Sequence, residues 1–166
     1  DSGPIALLGQ WCLTDVTRPI LANRDWRILA SPWNPETMDR AINYGFDLVR
    51  RWSSPLATIL NTMHGVDKSE RYWRVLLSWW LYDYISIVYD KYQRLEQARN
   101  QQQDLRTYYY SRPDGFLIRD RAHLHQMLEC DPEFTLHLVS CLGRELGIPG
   151  REITMTSTPQ PESSRN

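Results

Sequence analysis

The sequence predicts a helix-rich α/β fold in which a small, partly parallel sheet is flanked by long helices. Three observations predict it. Two short apolar runs near the start, residues 4–9 (PIALLG) and 26–30 (WRILA), are separated by a polar connection, the pattern of two strands joined by a crossover. Apolar residues then recur at helical spacing from Met38 through Ala41, Ile42, Leu48, Val49, Trp52, Leu56, Ile59 and Leu60 to Met63. A third, aromatic-dense segment over residues 69–98 is also helical in spacing.

Taken in order, the first strand leads into Gly9-Gln10-Trp11-Cys12, and a helical turn is expected near residues 19–22 before the second strand. Ser31-Pro32-Trp33-Asn34-Pro35-Glu36 marks a helix start, because Asn34 can cap, Pro35 fits the first helical position and Glu36 favours the dipole. Pro55 should kink or restart this helix, with Ser54 as a fresh cap, and Gly65 should stop it. Asp67 and Glu70, three apart, resemble a capping arrangement for the next helix.

That helix carries one apolar stripe of Trp73, Leu77, Leu81, Ile85, Val88 and Tyr92, and another of Leu76, Trp80, Tyr84 and Ile87. A helix apolar on several faces is expected to be central, and its polar last turns (QRLEQARNQQQD) are expected to project into solvent. The run 72–89 is nearly long enough to span a membrane. It contains Arg74 and Asp83, which cost roughly 2.5–3.5 kcal/mol each at a bilayer centre, so a buried helix is the better reading. Residues 106–110 (RTYYY) read as a strand, 112–115 as a turn and 116–129 as a helix. Asp131 then caps a helix that Pro132 opens and Gly147 stops. Residues 1–147 are expected to form one domain, and residues 148–166 an extended or disordered tail rich in Pro, Ser and Thr.

Composition narrows function only a little. A net charge of -1 gives no electrostatic case for nucleic acid or an anionic membrane. Seven Trp and nine Tyr against three Phe favour surfaces with a polar edge, whether core margin, ligand cleft or protein interface. Three cysteines without a close-spaced pattern favour a reducing compartment, and the opening Asp1-Ser2-Gly3-Pro4 does not read as a secretory signal, so a cytoplasmic setting is expected.

Several residues could carry chemistry. Trp11 and Cys12 follow the first strand, where ligands gather in open α/β sheets; Trp11 could stack on a ring and Cys12 could be a nucleophile, or both could be core residues. Trp33 and Asn34 stand at a helix amino terminus that could hold an anion or could simply be capped. His64, Arg71, Trp73 and Arg74 form the densest polar-aromatic group, and the two arginines sit where the helix dipole disfavours them, so a carboxylate of the domain or a ligand should compensate. His123, His125, Cys130, His137 and Cys141 do not make a convergent zinc set: only His137 and Cys141, at i and i+4, share a helix face. Asp114, Asp120 and Asp131 read as turn, surface and cap residues. No phosphate loop or nucleophile elbow occurs, which argues against a complete small enzyme with a Cys or His site, and no residue is assigned as catalytic.

Across about residues 4–146 the chain resembles the amino-terminal part of a family of transferases encoded among bacterial O-antigen and surface-polysaccharide genes. The matching residues are Leu8-Gly9-Gln10-Trp11-Cys12, Pro32-Trp33-Asn34, His64-Gly65-Val66 with Ser69, Arg71-Tyr72-Trp73-Arg74, Trp80-Leu81, Asp90-Lys91-Tyr92 and Asp114-Gly115-Phe116. The chain departs from the family pattern at Ser78-Trp79, where the family reads Gly-Pro, and at Lys91, where it tends to have Arg. The resemblance implies the acceptor-side half of a two-domain glycosyltransferase, incomplete as an enzyme. No cofactor is expected in this chain, and a nucleotide-sugar donor is implied for the carboxyl-terminal half of longer relatives. The implied partners are a sugar or glycan acceptor and a missing carboxyl-terminal domain or partner chain. Trp11, Trp33, His64, Arg71, Trp73 and Arg74 are the candidate substrate-binding residues, and Trp11, Trp33, His64, Arg71 and Arg74 are expected to line one cleft. The competing expectation is a non-catalytic assembly module whose aromatic helix serves a protein partner or a homodimer that buries Trp79 or Trp80.

Overall fold

A computed structural model of the chain describes residues 3–15, 17–102, 104–110 and 119–153, apart from the side chains at 121 and 128–130. Both early apolar runs are strands. β1 (Ile5–Leu7) and β2 (Trp26–Ile28) pair in parallel, with Ile5 opposite Trp26 and Leu7 opposite Ile28. Between them a 3-10 turn at Gln10–Cys12 and a short helix α1 (Thr17–Leu21) form the crossover that parallel strands require.

Helix α2 (Pro35–His64) starts where its sequence says it should. The Asn34 side chain accepts from the Thr37 amide at 3.0 Å, and the Asn34 amide donates to the Thr37 hydroxyl at 2.8 Å, closing a reciprocal cap. It ends at Gly65, whose φ of 63° is the left-handed conformation a helix stop favours. The expected break at Pro55 is absent: the helix runs through it. Gly45, Val49, Ser53 and Ala57, four residues apart, are buried and hold the helix against its neighbour on both sides of Pro55. The buried Ser53 hydroxyl donates to the Val49 carbonyl at 2.7 Å.

Helix α3 (Glu70–Gln101) packs antiparallel on α2. Its cap is Ser69, not Asp67: the Ser69 hydroxyl accepts from the Tyr72 amide at 3.2 Å. Burial along α3 reverses the expectation. The aromatic amino-terminal half is exposed or half-exposed, with Trp79 66% and Val75 71% accessible, whereas Leu95 and Ala98 in the polar last turns are buried. The reason is position. The tip of the α2–α3 hairpin is not covered by the rest of the fold: α4 meets α3 at Asp83 through His125, and the far end of α3 reaches α5 and the core. Hydropathy identified the segment as helical but could not say which part of it would be covered.

The second half builds a separate layer. β3 (Thr107–Tyr110) and β4 (Gly150–Ile153) pair in parallel across α4 (Arg121–Cys130) and α5 (Pro132–Glu145). The turn expected at 112–115 and the start of the helix expected at 116 lie outside the described residues. Asp120 caps α4 by accepting from the His123 amide, and Asp131 caps α5. Residues 148–153, expected to begin a tail, belong to the second layer, because Ile148 is buried and 150–153 form β4; the rest of the expected tail lies outside the described residues. A short Pro- and Gly-containing stretch masked a strand whose partner lies about 40 residues earlier. Leu95, Leu146 and Ile148 centre the core, with Leu8, Tyr92, Leu105, Val139 and Leu142 around them. Leu8 thereby ties the first sheet to the second layer. Among the described residues no helix is long and apolar enough to cross a membrane.

Candidate functional site

Because β1 and β2 run parallel, their carboxyl ends open on the same side, where ligands collect in α/β folds. Two corners therefore meet there. The first is Leu8 to Cys12. Gly9 is buried and packs so closely on Trp11 that a Cβ at this position would stand 2.5 Å from the indole Nε1 and 2.8 Å from Cδ1. The 3-10 turn holds Trp11 outward, 41% exposed, and the Thr17 hydroxyl fixes the turn by donating to the Cys12 carbonyl at 2.7 Å. The second corner is Ser31 to Asn34. There the Trp33 amide donates to the Ser31 hydroxyl, and the Thr37 hydroxyl donates to the Pro32 carbonyl.

Both corners close on three residues of α3. The Trp33 indole donates to Asp90 Oδ1 at 2.6 Å, and Arg94 Nε donates to the same oxygen at 2.9 Å. Arg94 Nη1 donates to the Leu8 carbonyl at 3.0 Å, so one guanidinium joins the helix to the end of β1. The Lys91 ammonium is 3.3 Å from Asp90 Oδ2 and 4.1 Å from the centre of the Trp11 ring. Tyr89 packs beside Trp33 at 6.0 Å and against Tyr44 at 5.0 Å.

The electrostatics follow from this arrangement. Burial pushes the Asp90 carboxyl upward, but the Trp33 hydrogen bond and the charges of Lys91 and Arg94 together outweigh it and hold the group below the usual aspartate range. Asp90 is therefore an ionised anchor at neutral pH. Burial pushes the Cys12 thiol up, against the opposing pull of the Gly9 and Leu8 backbone and of Lys91 and Arg94, so it stays protonated. The histidines whose contacts are described make them elsewhere: His64 on Trp73, His123 on the Arg119 amide, His125 on Asp83 and His137 near Cys141. A protonated, half-buried thiol lacks the thiolate character that an activated nucleophile needs. The Cys130 side chain lies outside the described residues. Among the described residues no three His, Cys, Asp or Glu side chains converge on a metal position.

The candidates do not share one cleft. Trp11 and Trp33 come together, but His64, Arg71, Trp73 and Arg74 sit at the tip of the hairpin. Trp73 and Asp90 are 17 positions apart on one helix, about 25 Å at 1.5 Å per residue. At the tip, Asn61 organises the turn: its side chain donates to the Lys68 carbonyl and accepts from the Lys68 amide and the Trp73 indole. His64 stacks on Trp73 at 5.8 Å, Arg74 pairs with Glu70 at 3.6 Å, and Arg71 is exposed. The carboxylate expected to compensate an arginine here is thus Glu70, one turn earlier in the same helix. Between tip and base, an open groove of about 710 Å³ runs between α2 and α3, lined by Phe46, Arg50, Arg74, Ser78, Trp79 and Tyr82 among others.

In the sequence Asp90 and Lys91 stand out only within a motif, and Arg94 does not stand out on its own. The i,i+4 spacing of Asp90 and Arg94 was a visible signal; the approach of Trp33 from 57 residues away was not. No curated protein and no solved structure matches the chain. A comparison with known protein families matches residues 1–166 throughout, under the description LIC12162 family transferase. The chain belongs to the LIC12162 family of transferases.

Proposed function

We propose that the chain is the acceptor-side, amino-terminal half of a glycosyltransferase of bacterial surface-polysaccharide synthesis. The observation that carries this reading is the exposed Trp11 ring resting on Lys91, which pairs with Asp90 and so adjoins Arg94, at the carboxyl end of the β1–β2 sheet. An indole face covers the C–H side of a pyranose, and ionised side chains beside it meet the hydroxyls. In this reading the acceptor sugar lies against Trp11, and a nucleotide-sugar donor is held by a carboxyl-terminal half. The sugar passes from the nucleoside diphosphate to an acceptor hydroxyl, which gives up its proton as the diphosphate leaves. Saturation-transfer NMR on the chain with a panel of oligosaccharides tests the reading. Saturable contacts on one ring face, lost in Trp11→Ala, are expected; no saccharide contact with any member of the panel would sink it.

A second reading, an assembly module, is favoured by a different observation. Trp52, Ile59, Met63, Val75, Leu76 and Trp79 are all more than half exposed along the hairpin. Light scattering of the chain and of Trp79→Glu decides this reading: a dimer that the substitution dissociates supports it, and a monomer at all concentrations removes self-assembly.

A further inference from the structure

We infer that the Asp90, Lys91 and Arg94 cluster beneath Trp11 binds an oxyanion carried on a sugar, so that the saccharide this domain takes is a phosphorylated or carboxylated one. The inference rests on the saccharide reading above and narrows it to a chemical class.

Charge balance points to an anion. The cluster holds two cations and one carboxylate, and their side chains are only 15%, 17% and 28% accessible for Lys91, Arg94 and Asp90. Among the described residues no second carboxylate pairs with Lys91 or Arg94. Cys12, also in their field, is a neutral thiol and contributes no negative charge. Among the described residues, a net positive charge has thus been withdrawn from water without a full counter-charge, an arrangement that costs stability unless something else supplies the anion.

Donor geometry points the same way. Asp90 Oδ1 is already taken by Trp33 and Arg94 Nε, and Arg94 Nη1 is taken by the Leu8 carbonyl. Among the described residues, Arg94 Nη2 and most of the Lys91 ammonium keep unused donors. Lys91 has one contact with Asp90, at 3.3 Å, and otherwise rests on the Trp11 ring. A guanidinium fixed on two sides and a lysine held over an aromatic face together make a preorganised oxyanion seat. The exposed Trp11 ring beside it suits an anion attached to something with an apolar face, which a pyranose ring provides.

Isothermal titration calorimetry of the full chain, with hexose phosphates, hexuronates and the matching neutral hexoses, tests this. Anionic members are expected to bind about tenfold or more tightly than neutral ones, with affinity falling as salt rises. Phosphate or carboxylate preference then identifies the source of the oxyanion. Lys91→Met should bring the anionic sugars down to the neutral level, Lys91→Arg should keep the preference, and Trp11→Ala should lose both classes. Thermal melts of each variant check that it is folded. Equal binding of neutral and anionic sugars overturns the inference and leaves the saccharide reading standing. Inorganic phosphate or uridine diphosphate binding as tightly as the sugar phosphate also overturns it, since the sugar then contributes nothing. Absence of binding by every sugar removes both.

Discussion

At Asp90 a single carboxylate joins three parts of the chain. It accepts from the Trp33 indole and from Arg94, and it faces Lys91. Asp90→Asn keeps the shape but leaves two half-buried cations unpaired, and is expected to cost about 1–3 kcal/mol in urea unfolding at pH 7. The pH dependence has a definite sign. Because the folded carboxyl titrates below its ordinary value, its contribution is present above the unfolded value of about 3.9 and is lost as pH falls through the folded one. The gap between the wild type and Asp90→Asn should therefore begin to close on acidification below about pH 5; a gap that widens as the pH falls would contradict this account. Which residues matter here was only partly visible in sequence. Trp11 and Trp33 could be singled out because each follows a strand. Their common anchor could not, because 57 residues separate Trp33 from Asp90 and no local pattern encodes that meeting.

At the scale of elements, local signals translated well and long-range ones did not. Asn34, Gly65, Asp131 and Gly147 act over one turn of backbone, and each does what its residue type implies. Pro55 is the exception. Its missing amide leaves the Arg51 carbonyl without its helical donor, yet the buried row from Gly45 to Ala57 keeps α2 continuous. Tertiary packing overrides the local preference at a cost that the rest of the hairpin absorbs. Pro55→Ala restores the bond and is expected to stabilise the protein by about 1–3 kcal/mol, read as a higher urea midpoint with an unchanged slope. An unchanged or lower midpoint would mean that the proline is matched to a bend the packing requires.

Across the whole molecule, α3 is the member shared by both layers. Asp90 and Arg94 tie it to the β1–β2 sheet, while Leu95, Ala98 and the Arg99 bond to the Leu146 carbonyl at 2.9 Å tie it to the second layer. The second layer is closed by its last strand. Ile148 is 4% exposed, the Tyr109 hydroxyl donates to its carbonyl, and β4 follows. Ile148→Ala is expected to cost about 2–4 kcal/mol, read as a lower urea midpoint. A loss under about 1 kcal/mol would show that Ile148 does not close this layer. The fold class was legible because strand runs and helical periods are local. That the aromatic half of α3 stands outside the core was not, since apolar spacing records what a helix can bury and not what is present to cover it. The same geometry sets the two separated groups of aromatic and basic residues on one continuous helix, with about 25 Å from Asp90 to Trp73. A ligand or partner that engages both must span at least that length, and a shorter one can meet the tip or the base but not both.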